Sequence, residues 1–167
     1  MKITLTSGKG EGSTILSSFD AALHDAGVCN YNLIYLSSII PPKSQLVDVN
    51  KYETKTHEYG DRLYVVKAEG QSNIQGQFIG AAIGYFQSKE GGGEGMFVEH
   101  HFTGNSKEEV YENLWHLVKN SMTDLCLIRG YKSEMYSDQI KMKECIVEVK
   151  NKPATVLVLA VYKSEVW

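Results

Sequence analysis

A peptide bond that precedes a serine has a nucleophile beside its own carbonyl. Ser37-Ser38, in the run Leu36-Ser37-Ser38-Ile39-Ile40-Pro41-Pro42, is such a bond. Attack by the Ser38 hydroxyl moves the acyl group from nitrogen to oxygen, and the resulting ester can eliminate. Most serine-containing peptides do not react, because the planar trans amide resists distortion of ω. A rigid corner changes that balance. Pro41 and Pro42 each fix φ at about −65° and restrict the residue before them to extended geometry. Taken alone, the pair is better described as an ordinary strand end.

Other residues carry chemistry only in the right surroundings. Glu99 closes the apolar run Met96-Phe97-Val98. On a solvent-facing strand it does nothing; buried, its pKa rises and it holds a proton at neutral pH, as a general acid must. Asp20 lies in the Phe19–Leu23 turn of an amphipathic segment, where a carboxylate is either solvated or the partner of a cation. Asn32 is either a polar strand residue or part of the same pocket. Gly8-Lys9-Gly10-Glu11-Gly12 misses the dinucleotide fingerprint by one residue and contains no Gly-Lys-Ser/Thr, so a flexible loop is expected there. His100 and His101, adjacent on a strand, point to opposite faces and cannot readily chelate one ion, so no metal is expected.

The elements that must position these groups can be read from periodicity. Ile3–Thr6 alternates like a strand and runs into the glycine-rich loop. Ile15, Leu16, Phe19, Ala22, Leu23 and Ala26 share a helical face, with Ser13 or Thr14 as cap and Gly27 as stop. Asn32–Ser37 is a second strand, and residues 47–60 read as loop. Arg62–Ala68 alternates. Gln75–Gln87 holds three glycines that would each cost a helix about 1 kcal/mol, so a long strand is expected. Gly91-Gly92-Gly93 is a turn before a strand over Glu94–Thr103. Ser106-Lys107-Glu108-Glu109 is a capping box. Val110, Leu114, Leu117, Val118, Ser121, Leu125 and Ile128 follow on one face, up to Arg129-Gly130. Lys141–Val149 and Thr155–Tyr162 are strands flanking Lys150-Asn151-Lys152-Pro153, read as a hairpin turn. Two helices and about seven strands with antiparallel connections predict one α+β layered domain over 1–167.

Composition narrows the function classes. The 167 residues carry a net charge of −3 and no Lys/Arg cluster, which argues against a nucleic-acid surface. Met1-Lys2-Ile3-Thr4-Leu5 is too short and polar for a signal peptide, and no run approaches the ~18 apolar residues of a membrane span. Cys29, Cys126 and Cys145, odd in number and without a CxxC, read as reduced thiols of a cytoplasmic protein.

Five stretches, in order, resemble the pyruvoyl-dependent arginine decarboxylase family: Phe19-Asp20-Ala21-Ala22-Leu23, Gly27, Asn30-Tyr31-Asn32-Leu33-Ile34, Leu36 to Pro42, and Gly95-Met96-Phe97-Val98-Glu99-His100. The resemblance runs from Ile3 to Lys163. It implies an αββα sandwich of mostly antiparallel strands with two main helices. It implies self-cleavage between Ser37 and Ser38 into a β chain, 1–37, and an α chain, 38–167. The cofactor would be a covalent pyruvoyl group made from Ser38, with no pyridoxal phosphate and no metal. That group would form a Schiff base with arginine, release CO2 and yield agmatine, as in polyamine biosynthesis or acid resistance. Ser38 and Glu99 would be catalytic, Glu99 as proton donor. Asp20, Leu23, Asn32, Ser37 and Ile39 would bind substrate, Asp20 pairing with the guanidinium. Family members are trimers or pairs of trimers with sites between subunits, which suits an edge-rich sheet. The competing readings are an unprocessed, non-catalytic oligomeric homologue that binds a small cationic ligand, and a pyruvoyl decarboxylase of another amino acid such as histidine.

Overall fold

Strand alternation divides the side chains of one long strand between two cores. In the computed structural model, which describes every residue except Thr56, Glu90 and Gly91, this strand is Ala154–Glu165, the last in the chain. Val156, Val158 and Ala160 face one apolar cluster, while Leu157, Leu159 and Val161 face another. A strand buried on both faces must be central, with a layer on each side.

Numbered along the chain, the strands are β1 (Lys2–Glu11), β2 (Asn32–Tyr35), β3 (Ile39–Ile40), β4 (Gln45–Asp48), β5 (Arg62–Ser72), β6 (Phe78–Gln87), β7 (Gly95–Gly104), β8 (Lys141–Glu148) and β9 (Ala154–Glu165). The helices are α1 (Ile15–Ala26), α2 (Lys107–Ile128) and the four-residue α3 (Ser133–Tyr136). One sheet, here sheet A, has the order β2-β5-β9-β1-β4; sheet B has β3-β7-β6-β8. Ile3, Leu5, Ile79, Ile83 and Phe97 fill the space between the sheets. Helix α1 covers the outer face of sheet A, and α2 covers that of sheet B. The architecture is α+β, an αββα sandwich, as the resemblance implied. Among the described residues no helix is long and apolar enough to cross a membrane.

Several local expectations are corrected. The glycine-rich segment is not a loop but the second half of β1, paired with β9 through Glu11↔Ala154. Its glycines serve close approach. Helix α1 presents Ser18, Ala22 and Ala26, and a Cβ on Gly8 would stand 2.7 Å from Ala26 N. Strand β4, Gln45–Asp48, runs two residues into the expected loop of 47–60, and it pairs parallel to β1, as β2 does to β5. The turn at 150–153 joins no hairpin, because β8 pairs with β6 in sheet B while β9 belongs to sheet A. On α2 the buried stripe is Val110, Leu114, Val118, Met122 and Cys126; Ile128 is 78% exposed.

The caps follow the sequence more closely. Thr14 and Ser17 cap each other's backbone N–H, and Gly27 ends α1 at φ 85°. Ser106 accepts from Glu109 N at 3.1 Å, but the Glu109 carboxylate takes the N–H of Asn105 instead of the cap's own. In the expected Gly91-Gly92-Gly93 turn, Gly92 and Gly93 have positive φ, while Gly91 lies outside the described residues.

The helix-on-glycine contact yields a test. A Cβ at Gly10 would lie 2.5 Å from Ser18 O and 2.6 Å from Ala21 Cβ. Overpacking of this kind costs about 1–3 kcal/mol. Gly10→Ala should therefore lower unfolding stability by that amount in urea titrations, while Lys9→Ala, at an exposed position, changes it little. Equal stability of the two variants would show that α1 is not seated on β1.

Candidate active site

Strand β2 is an edge of sheet A and β3 an edge of sheet B, so residues 36–38 carry the chain from one sheet to the other. Each end of this crossing is anchored. Leu36 N–H donates to Val65 O at 2.9 Å in sheet A, and Phe97 N–H donates to Ser38 O at 2.8 Å in sheet B. Ser37 is exposed between the two anchors. Ser38 has φ of 65°, and among the described residues it shares positive φ outside glycine only with Lys43. A serine in this left-handed region costs of order 1–3 kcal/mol and persists only where its surroundings over-determine it. Two anchors on two rigid sheets do that.

The Ser38 hydroxyl donates a hydrogen bond to the Glu99 carboxylate. Glu99 reaches it because β7 alternates: Phe97 joins the inter-sheet core, Met96 and Val98 join the α2 core, and Glu99 shares the side of Phe97. Strand β3 pairs β7 only at Gly95 and Met96, so the edge beyond Phe97 is uncovered and Glu99 is half-buried instead of fully enclosed. His100 turns to the α2 side and bonds Ser121 Oγ through Nε2 at 2.9 Å. Burial lowers its pKa from the ordinary 6.5 and keeps the imidazole neutral. His101 is exposed on the opposite face of the strand. A cleft of about 500 Å3 opens here, lined by Ser37, Ser38, Glu99, His100, Ser121 and Asp124 among others.

Sheet A also contributes to this region. Tyr162 of β9 donates its hydroxyl to Ile39 O at 2.8 Å, and its ring stands edge-on to Phe97 with centroids 6.3 Å apart. Burial, and then the charge of Glu99, push the phenol above its ordinary pKa, so it remains a donor.

Of the residues singled out in the sequence, Ser37, Ser38 and Glu99 come together, and Ile39 follows them with its side chain 46% exposed. Asp20, Leu23 and Asn32 do not line this cleft within one chain. Asp20 is exposed on α1; Leu23, 8% exposed, packs between α1 and sheet A. Asn32 donates through Nδ2 to Gly60 O at 2.6 Å. Sequence reasoning missed His100, Ser121 and Tyr162. Their roles come from contacts 21 and 123 residues apart along the chain, which no local pattern announces.

A strained residue, a hydroxyl held on a carboxylate and an exposed preceding residue can together support attack of Ser38 on the Ser37 carbonyl. Comparison with known proteins supplies the family. The family model described as pyruvoyl-dependent arginine decarboxylase matches residues 2–166. A protein of that name from Pyrococcus furiosus is 32% identical over 160 residues, covering 96% of this chain and 93% of its own. One from Methanothermobacter thermautotrophicus is 31% identical over 151 residues, 90% and 86% of the two chains. One from Thermoplasma volcanium is 38% identical over 107 residues; that match covers 64% of this chain and 58%, less than two thirds, of the relative.

The backbone at Ser38 can be tested without any cleavage. Ser38→Gly and Ser38→Ala both lack the hydroxyl, but only glycine accepts a φ of 65° freely. The glycine variant should be the more stable by about 1 kcal/mol in denaturant unfolding. The reverse order would show that residue 38 is unstrained.

Proposed function

We propose a self-processing decarboxylase of arginine, from the premise that this chain belongs to the pyruvoyl-dependent arginine decarboxylase family. The observation that carries the proposal is the hydrogen bond from Ser38 Oγ to Glu99 at a serine in left-handed conformation. Ser38 Oγ attacks the Ser37 carbonyl carbon, the C–N bond breaks, and an ester joins the two residues. Glu99, already bonded to that hydroxyl, is within reach to take its proton. Elimination then removes the Ser38 Cα proton and breaks the bond between Cβ and the ester oxygen, leaving residues 1–37 with a carboxylate and a Cα=Cβ double bond, dehydroalanine, at residue 38. Hydrolysis at residue 38 releases ammonia and completes the cofactor on residues 38–167.

A pyruvoyl group at position 38 fits the residues present. The Ser38 carbonyl has its donor in Phe97 N–H, and Glu99 faces the atom that now carries the hydroxyl. When present, such a group supplies an electron sink: joined to the α-amine of arginine, its carbonyl takes up the electrons left as CO2 departs. Glu99 then holds the proton destined for the α-carbon, and agmatine is the product. Asp20 is exposed and outside the cleft of its own chain. In this reading it therefore reaches the guanidinium in the cleft of a neighbouring copy, within a trimer or a dimer of trimers, where a carboxylate pairs bidentately with that cation. Leu23 and Asn32 would shape the same subsite. Polyamine biosynthesis in the cytoplasm suits the product and the three free cysteines.

Intact mass under denaturing conditions tests the processing step. Two fragments are expected, one ending at Ser37 and one beginning at residue 38, lighter than its sequence by one molecule of ammonia, because the serine hydroxyl is lost along with the amine as the ketone forms. A single species at 18.7 kDa would overturn the proposal for this protein. Glu99→Gln should slow cleavage and reduce decarboxylation by about 100-fold or more, within the range of general acid–base catalysis. Parent rates in both steps would remove Glu99 from the mechanism. Asp20→Asn should raise the KM for arginine by about tenfold or more, as loss of a charge-assisted pair predicts, with unfolding stability unchanged. An unaltered KM would sink that role.

A further inference from the structure

We propose that Tyr162 is a positioning residue for this site: its hydroxyl, reaching across from sheet A, holds the Ile39 carbonyl and so fixes residue 38 against Glu99 once the bond to Ser37 is gone. The inference rests on the self-cleaving reading above and adds to it a residue that neither the motif nor the cleft lining picks out.

The reasoning is a count of tethers. In the uncut chain, residue 38 is held from both directions, upstream through Leu36 N–H on Val65 O and downstream through Phe97 N–H on Ser38 O. Cleavage severs the upstream tether and makes residue 38 the first of its chain. First residues fray unless something ties them down. What remains is a strand of two residues, Ile39 and Ile40, the Phe97 bond, the buried Ile40 side chain and Tyr162. The β3 pairing and the Phe97 bond both come from β7. Among the described hydrogen bonds to residues 38–40, only that of Tyr162 comes from sheet A. It therefore supplies the direction of restraint that cleavage removes.

The phenol is suited to this task. Its oxygen lies 2.8 Å from Ile39 O, one residue from the reacting position. Its ring is braced edge-on by Phe97, the residue whose N–H holds the Ser38 carbonyl. Burial and the nearby Glu99 charge keep it protonated. Tyr162 does not line the cleft, so it acts through Ile39 and not on the substrate. A reacting atom displaced by a fraction of an ångström loses rate before it loses affinity.

Tyr162→Phe keeps the ring and removes only the hydroxyl. It should still cleave to completion, while kcat falls about tenfold, the equivalent of one hydrogen bond, and KM for arginine changes much less. Amide exchange at Ile39, Ile40, Lys43 and Ser44 should quicken in the cleaved variant by about the same factor and less in a Ser38→Ala background, where the chain is intact. A purely structural tyrosine would lower stability in both forms equally and leave kcat per folded molecule unchanged; that result overturns the proposal. So do a parental kcat and parental exchange. If the unsubstituted protein neither cleaves nor turns over arginine, the functional reading fails by itself. Exchange in the intact chain then decides the clamp: faster at Ile39 and Ile40 in Tyr162→Phe supports it, and equal rates overturn it.

Discussion

The crossing at residues 36–38 depends on the two sheets being fixed relative to one another. Leu36 is bonded to β5 and Ser38 to β7, strands of different sheets, and the three residues between β2 and β3 must span whatever gap the layers leave. With both ends set, the linking residue has few conformations left, and it takes an unfavourable one: φ of 65° at Ser38. Such strain is held by packing elsewhere. Here the packing is the inter-sheet core, in which Ile40, immediately downstream, is fully buried. The hydroxyl of the strained residue then falls on the one carboxylate that β7 turns toward it.

Rigidity of the sheets is thus a condition for the site. Sheet A derives it from β9, which pairs along β1 on one side and β5 on the other and is buried on both faces. Sheet B derives it from β6, paired along β7 and β8 and pinned under α2. The glycines of β1 let α1 settle onto sheet A at backbone distance. Interiors packed this closely transmit displacement instead of absorbing it. The Ser38–Glu99 contact therefore reports on layers well removed from it.

How much of this was legible in the sequence follows the range of the interaction responsible. Helix α1 and its stops were readable because Thr14 and Gly27 act on backbone groups a few residues away. The layer arrangement was readable through strand alternation and family resemblance. The Gly8–Gly12 segment misled, since glycines that admit a helix from above look locally like glycines that loosen a loop. The turn at 150–153 misled for a similar reason: its local chemistry is that of a tight turn, while the partners of β8 and β9 are chosen by distant strands. At the site, Ser38 and Glu99 were readable as a pair only through the resemblance, because 61 residues separate them. Tyr162 carried no signal of any kind.

The location of the crossing also determines what a break there would do to the fold. A cut after Ser37 removes no sheet pairing, since β2 ends at Tyr35 and β3 begins at Ile39. Residues 1–37 contain β1, α1 and β2, and β1 lies between β9 and β4 in the interior of sheet A. Ile3 and Leu5 of that segment sit in the inter-sheet core, and Ala22, Leu23 and Ala26 seal its outer face. Separation of the two pieces would expose two of the three cores, so after such a cut the segments would stay associated without a covalent link. The strain at residue 38 is different. It is imposed by continuity of the chain between two anchored strands, and loss of that continuity releases it. The covalent bond that holds Ser38 in an unfavourable conformation is the one its hydroxyl would attack under the proposed processing, so release of this strain would favour cleavage.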